Sequence, residues 1–288
     1  MEAYLDPLRA WIGEADCSAV IDEASVALVR ERVRAAATEA GLGETPAASL
    51  VNVASELAHN QRVHARGGVI AVRAVTRGEQ RGLEVVAADR GSGIVDVARA
   101  LEGRPSRPGS LGVGLAAVLE LADEVDFDVR LGEGTCVWAR KFDAPAPRRP
   151  RVGVYGRAFP GERTSGDDAA FVRSGHSLLM GVADGLGHGE AAREASVRVA
   201  REITASAEDA PEAVITRCAP RLERTRGAVV AVARLQATGQ MDVAGVGNVA
   251  AHLYGPGASW RFGGSSFVLG APGGARHIAL ESHRIEPR

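Results

Sequence analysis

The sequence predicts an α+β protein made of two layered domains in tandem. Its 288 residues are about twice the length of a common single domain. One stretch, Asp143-Ala-Pro-Ala-Pro-Arg-Arg-Pro-Arg151, has neither a helical nor a strand period and is expected to run extended as a linker. On both sides of it, helices alternate with groups of short strands. That order is expected when helices cover a face of an antiparallel sheet. The domains are therefore set at 1–143 and 152–288, with 144–151 between them.

In the first half, a helix is expected over 24–40. It ends at Gly41, a residue suited to the left-handed position past a helix end. Thr45-Pro46 opens a second helix, with a capping hydroxyl and then proline at the first helical position. This helix runs to about Arg66 and stops at Gly67-Gly68. Two β runs follow, 69–75 and 83–88, around a polar turn. Residues 90–111 form a loop with prolines and glycines, and a helix covers 112–122. A hairpin of 125–131 and 135–142 around Gly132-Glu133-Gly134 closes the half.

In the second half, short strands are expected at 152–158, 169–173 and 178–183. Helices follow at 188–206 and 210–224. Strands at 227–235, 240–246, 249–254 and 259–262 finish the chain.

Composition excludes several classes. With 45% hydrophobic and 24% charged residues, the chain has the apolar content that a disordered chain lacks. Its longest apolar runs, such as 228–233, fall far short of the ~18–20 residues of a membrane span. The start, Met-Glu-Ala-Tyr-Leu-Asp, is acidic where a signal peptide is basic. Cys17, Cys136 and Cys218 are far apart and lack metal spacing, which fits a reduced cytoplasmic protein without disulfides. The net charge is −2. No dense basic stripe is present, so neither nucleic acid nor membrane is an expected partner.

Three segments of the first half carry chemistry. In Ser55-Glu56-Leu57-Ala58-His59-Asn60, Glu56 and Asn60 lie four apart and share a helix face. A carboxylate there can act as a base, and an amide oxygen one turn away can bind a Mg²⁺ that bridges phosphates. Asp89-Arg90-Gly91-Ser92-Gly93-Ile94 follows a strand directly. Its carboxylate can accept from an adenine amino group, and its glycines let the backbone approach a ligand. Gly109-Ser110-Leu111-Gly112-Val113-Gly114-Leu115 opens a helix, where backbone amides can face phosphate.

In this order and spacing, the three segments resemble the N, G1 and G2 boxes of the GHKL ATPase superfamily. The small RsbT-type serine kinases of bacterial stress-response modules are the nearest pattern. The Gly82–Val86 strand and the Gly132-Glu133-Gly134-Thr135 turn support it. The resemblance covers about residues 15–142 and implies the two-layer α/β sandwich of the Bergerat fold. It implies Glu56 as general base and Asn60 as Mg²⁺ ligand. Asp89 would contact adenine, and Gly91, Gly93, Gly109, Leu111, Gly112 and Gly114 would form the nucleotide loops. Residues 95–110 would be a short lid over ATP.

Two acidic turns stand out in the second half: Ser165-Gly166-Asp167-Asp168, and Asp184-Gly185-Leu186-Gly187-His188-Gly189 between a strand and a helix. A hairpin would bring Asp167 and Asp184 to one edge. Hard cations take such oxygen ligands, and two metals could activate a bridging water toward a phosphoester. These turns, with Gly245-Val246-Gly247-Asn248, resemble SpoIIE/RsbX-type PPM serine/threonine phosphatases from about residue 150. The resemblance implies a β-sandwich flanked by helices, with Mn²⁺ or Mg²⁺ on Asp167, Asp184 and the Gly185 carbonyl; Asp168 is a lesser candidate. His188 reads as a loop or cap residue. A further metal-binding aspartate of that family lies beyond the last matched motif. The chain stops at His283–Arg288, about where its strand would begin, so the domain is read as C-terminally incomplete, with an exposed sheet edge.

The combined expectation is a cytoplasmic bacterial regulator. One half would phosphorylate Ser or Thr on a STAS-domain anti-sigma antagonist or stressosome-like protein, and the other would dephosphorylate it. A sigma factor or a downstream phosphatase is a further possible partner. The alternative is a non-catalytic ATP-binding, anti-sigma or docking protein with a degenerate phosphatase domain.

Overall fold

The computed structural model describes residues 8, 12, 17–102, 114–144, 151–175, 177–255 and 258–285. Most of the expected linker and of the 109–115 motif lies outside them. The chain divides into two compact units, Met1–Tyr155 and Gly156–Arg288. No helix among the described residues is long and apolar enough to cross a membrane.

The first unit begins with β1 (Cys17–Val20), α1 (Glu23–Glu39) and α2 (Glu44–Ala65), followed by β2 (Gly68–Arg77) and β3 (Gln80–Asp89). Then come α3 (Val97–Leu101), α4 (Gly114–Leu121), β4 (Glu124–Leu131), β5 (Gly134–Phe142) and β6 (Gly153–Arg157). The sheet order is β1-β2-β3-β5-β4-β6. The strand expected to open the second half, β6, instead joins the first sheet beside β4, and β1 and α3 were not expected at all. Each is only four or five residues long, too short to show a period.

Local chemistry sets the helix ends. Asp22 and Ser25 form a reciprocal capping box at the start of α1. Its end is a Schellman turn: Gly41, at φ +70°, donates to Thr38, and Leu42 donates to Ala37. The start of α2 differs from expectation. Its cap is Gly43, with no side-chain bond, so Thr45-Pro46 falls two residues deeper, with Pro46 third in the helix. First-turn N–H groups have no helical acceptor, so proline is tolerated there as well as at the first position.

One face of the sheet is apolar. Ile70, Leu83, Val85, Ala87, Val137 and Ala139 pack against Val29 and Val33 of α1, Leu50, Val53 and Leu57 of α2, and Val118 of α4. On the opposite face, Arg73, Glu84, Arg140 and Glu124 are successive cross-strand partners over β2, β3, β5 and β4. Glu84 is only 2% exposed.

The second unit contains β7 (Asp167–Ser174), β8 (Ser177–Gly185), α5 (Glu190–Thr204), α6 (Pro211–Leu222), β9 (Ala228–Gln236) and β10 (Gln240–Val246). It continues with β11 (Ala251–Gly255), β12 (Ala258–Phe262) and β13 (Ala279–Arg284). Five strands form an antiparallel sheet in the order β13-β10-β9-β8-β7. Leu179, Ala183, Val230, Val232 and Val246 meet Val199, Ile203, Val214 and Leu222 of the two helices. Met241 and Val243 point the other way, onto Phe262, Leu253 and Trp260 of the β11–β12 hairpin. No strand was expected after residue 262, yet Ala279–Gly245 through Arg284–Gln240 pair throughout, and β13 forms the edge of the sheet beside β10. Cys218 is buried in α6, and burial pushes its thiol up to about 12.

Candidate functional site

Helix α2 organises the first site. Glu56 and Asn60 are half-buried on one face of it, and the first residue of α4, Gly114, stands against them. A β-carbon on Gly114 would lie 3.1 Å from Glu56 Oε2 and 3.2 Å from Asn60 Oδ1. A side chain there would occupy the space in front of the two polar groups. The glycine keeps that space open and lets the amide end of α4 approach both.

Asp89 ends β3, beside the other end of α2. Its Oδ1 accepts the Gly91 N–H at 2.8 Å, and the backbone of its cross-strand partner Thr135 also donates to it. Burial outweighs these donors and pushes its carboxyl up to about 6. Gly91 packs on Ala65, the last residue of α2. Gly93 lies against the Arg130 carbonyl, and Gly132 N–H donates to Ser92 O at 3.0 Å. The loop after β3 is thus tied both to α2 and to the β4–β5 turn. Gly109, Leu111 and Gly112 lie outside the described residues.

The structure therefore gathers Glu56, Asn60 and Gly114 directly, and places Asp89 and Gly91 at the C-terminal end of the same helix. Thr135 was read only as part of a hairpin. Its pairing with Asp89 makes it part of the site, and the Gly-Thr step after the turn was the available signal. A magnesium nucleotide suits this arrangement: an amide oxygen and a carboxylate border an open space at a helix start, and a desolvated carboxyl stands ready for a donor.

In the second unit, Asp167 and Asp184 are direct partners across β7 and β8. Both are exposed and lie on the sheet face away from α5 and α6. Asp168 pairs with Ala183, which belongs to the helix-facing core, so it points to the opposite side. Gly185 donates to Gly166 O at 3.3 Å, and a β-carbon on it would fall onto the Ala192 carbonyl of α5. His188 Nδ1 bonds Glu162 Oε1 at 2.6 Å and stacks on Phe159, which fits a loop-holding residue. Among the described residues, no group of three or more His, Cys, Asp or Glu stands together. Two opposed carboxylates and a neighbouring carbonyl suit one hard cation whose shell water completes.

This strand and loop order is that of a histidine kinase-like ATPase domain. A model of the histidine kinase-like ATPase domain matches residues 20–141. Over 131 residues the chain is 33% identical to the serine/threonine-protein kinase RsbT of Bacillus subtilis, covering 46% of this chain and 98% of RsbT. Through its first unit, the chain belongs to the histidine kinase-like ATPase family, as a homologue of RsbT. Among solved structures, one of RsbX in complex with magnesium is 27% identical, with a TM-score of 0.42. That match covers 45% of this chain and 65% of RsbX, so the chain spans about two thirds of that relative. The PP2C phosphatase domain of SpoIIE from Bacillus subtilis, with a regulatory fragment, is 11% identical at a TM-score of 0.37. It covers 91% of this chain and 75% of that one.

Proposed function

We propose that residues 1–143 bind Mg-ATP and phosphorylate Ser or Thr on a STAS-domain partner of a sigma-factor or stressosome-like switch. We propose further that residues 152–288 are a metal-dependent phosphatase for the same class of residue. The observation that carries the kinase reading is the meeting of Glu56, Asn60 and Gly114 at the start of α4. Magnesium, when bound, would neutralise charge on the phosphates. Asn60 Oδ1 would hold it, and Asp89 would accept from the adenine amino group. Glu56 would take the proton of the attacking hydroxyl.

Phosphoryl transfer from labelled ATP to a phosphorylatable STAS protein tests this reading. Glu56→Ala should retain nucleotide affinity and lose transfer, whereas Asn60→Ala should weaken Mg-ATP itself. Transfer at the wild-type rate by Glu56→Ala would remove its role as base.

In the second unit, Asp167, Asp184 and the Gly185 carbonyl would hold Mn²⁺ or Mg²⁺, which would supply an activated water. The sparse ligand set supports a second reading, in which this unit holds a single cation weakly and serves mainly to dock partners. Metal-dependent hydrolysis of a phosphorylated STAS protein separates the two. Brisk turnover at micromolar Mn²⁺ rejects the docking reading.

A further inference from the structure

The residue after Asn60 is the most tightly held polar group on α2, and no role above involves it. Gln61 is 2% exposed, a rare environment for a side-chain amide. Its Nε2 donates to Val69 O at 3.0 Å and to Ala88 O at 3.1 Å. Those two residues face each other across β2 and β3, and Ala88 immediately precedes Asp89. The main-chain oxygen of Gln61 accepts the Gly67 N–H at 2.9 Å, which closes the end of α2.

The arrangement carries a cost. Among the described residues Gln61 Oε1 is buried with no hydrogen-bond partner, a penalty of about 1–3 kcal/mol. Turning the amide over would not remove it, because both carbonyls would then face an oxygen. A β-carbon on Gly68 would fall inside the amide group, so β2 opens with the one residue that lets the amide lie flat on the strand. A leucine would fill the same volume with no orphaned atom. What leucine cannot do is bond the last residues of β3 to α2, one residue from Asn60.

We propose that Gln61 is a positioning residue for the nucleotide. It holds the end of β3 against α2, so that Asp89 meets the adenine amino group while Asn60 and Glu56 meet the phosphates. It thereby sets the preference for adenine over a base that lacks that amino group. This inference rests on the ATP reading of the first unit. Gln61 acts through Asp89 and does not touch the nucleotide.

The test uses the full chain with Mg-ATP and Mg-ITP, whose base carries an oxygen in place of the amino group. The wild-type protein should bind ATP at least about 10-fold tighter, the worth of one good bond to a carboxylate. Gln61→Leu should reduce the ATP:ITP affinity ratio by about fivefold or more while changing ITP affinity far less. A merely structural loss would lower the folded fraction, weaken both nucleotides alike and leave the ratio intact. Gly68→Ala pushes a methyl into the amide with Gln61 still in place and should move the ratio in the same direction. The double variant should be no worse than the more affected single one, because both act through one group. An unchanged ratio in the variants overturns the inference, whatever happens to the melting temperature. If Gln61→Leu does not fold, Gly68→Ala decides alone. A wild-type protein that binds neither nucleotide rejects the ATP reading, and the inference with it. Equal wild-type affinity for ATP and ITP rejects the adenine contact that Gln61 is inferred to position.

Discussion

Among the described residues, a carboxylate at the end of β3 has only backbone amides to answer its charge. The Gly91 and Thr135 donors do not offset its burial, so the Asp89 carboxyl sits at about 6, above its ordinary value. The sign follows from linkage. A raised carboxyl favours the folded state while it is protonated, and that contribution is lost as pH rises from about 4 through 6. Asp89→Asn should therefore be more stable than wild type at pH 7.5, by about 1–2 kcal/mol after discounting for partial exposure. At pH 4 the two should be equal. Urea titrations at both pH values check this, and a variant less stable at pH 7.5 would contradict it. The same substitution should weaken Mg-ATP, since a neutral amide is a poorer acceptor for the adenine amino group. A residue that loses stability when replaced is structural; one that gains stability while losing ligand marks a binding site.

At the scale of elements, the outer face of the first sheet shows what the sequence concealed. Arg73, Glu84, Arg140 and Glu124 form one alternating row across four strands. Glu84 bonds Arg73 at 2.5 Å and Arg140 at 2.5 Å. Arg140 also reaches Asp126 at 2.8 Å, and Arg77 reaches Glu124 at 3.0 Å. A one-residue slip of any strand would break the row, so it fixes register as well as burying charge. Glu84→Leu removes the shared anion, so that Arg73 loses this partner and Arg140 keeps only Asp126 and Glu124. It should cost about 3 kcal/mol, read as a lower urea midpoint. A neutral outcome would show that the row is not needed.

In sequence, these residues are the polar half of an ordinary alternation. The strands were legible because alternation and the Gly132–Gly134 turn are local signals. Burial of the polar face was not legible, because it depends on which charges meet across strands. The proposed nucleotide site divides the same way. Asp89 and Glu56 were visible because a strand end and a helix turn are local. Thr135 and Gln61 were not, because one gains its meaning from cross-strand register and the other from two carbonyls on neighbouring strands. Gly114 was visible as part of a glycine-rich run, but its close approach to Glu56 and Asn60 appears only in three dimensions. In the second unit, alternation along β7 explains why Asp167 joins Asp184 and Asp168 does not.

At the scale of the whole molecule, each unit has a separate apolar core, one around Val33, Leu57 and Val85 and the other around Val199, Ile215 and Val230. A unit with its own core can unfold as its own cooperative step. A ligand that binds only the folded form of one unit raises that step alone, by about 2.7 kcal/mol at 100 times its dissociation constant. Calorimetry should therefore resolve two transitions. Mg-ATP, compared with Mg²⁺ alone, should raise one, and Mn²⁺ without nucleotide should raise the other. Asp184→Asn should abolish the Mn²⁺ shift and leave the ATP shift in place. Without metal, the variant should melt slightly above wild type, because Asp167 and Asp184 are like charges placed directly opposite each other. A Mn²⁺ shift that survives Asp184→Asn would move the metal elsewhere. A single transition raised by either ligand would mean that occupancy of one site is felt in the other unit. Kinase and phosphatase would then be parts of one switch, and separate activities carried on one chain would be the wrong description.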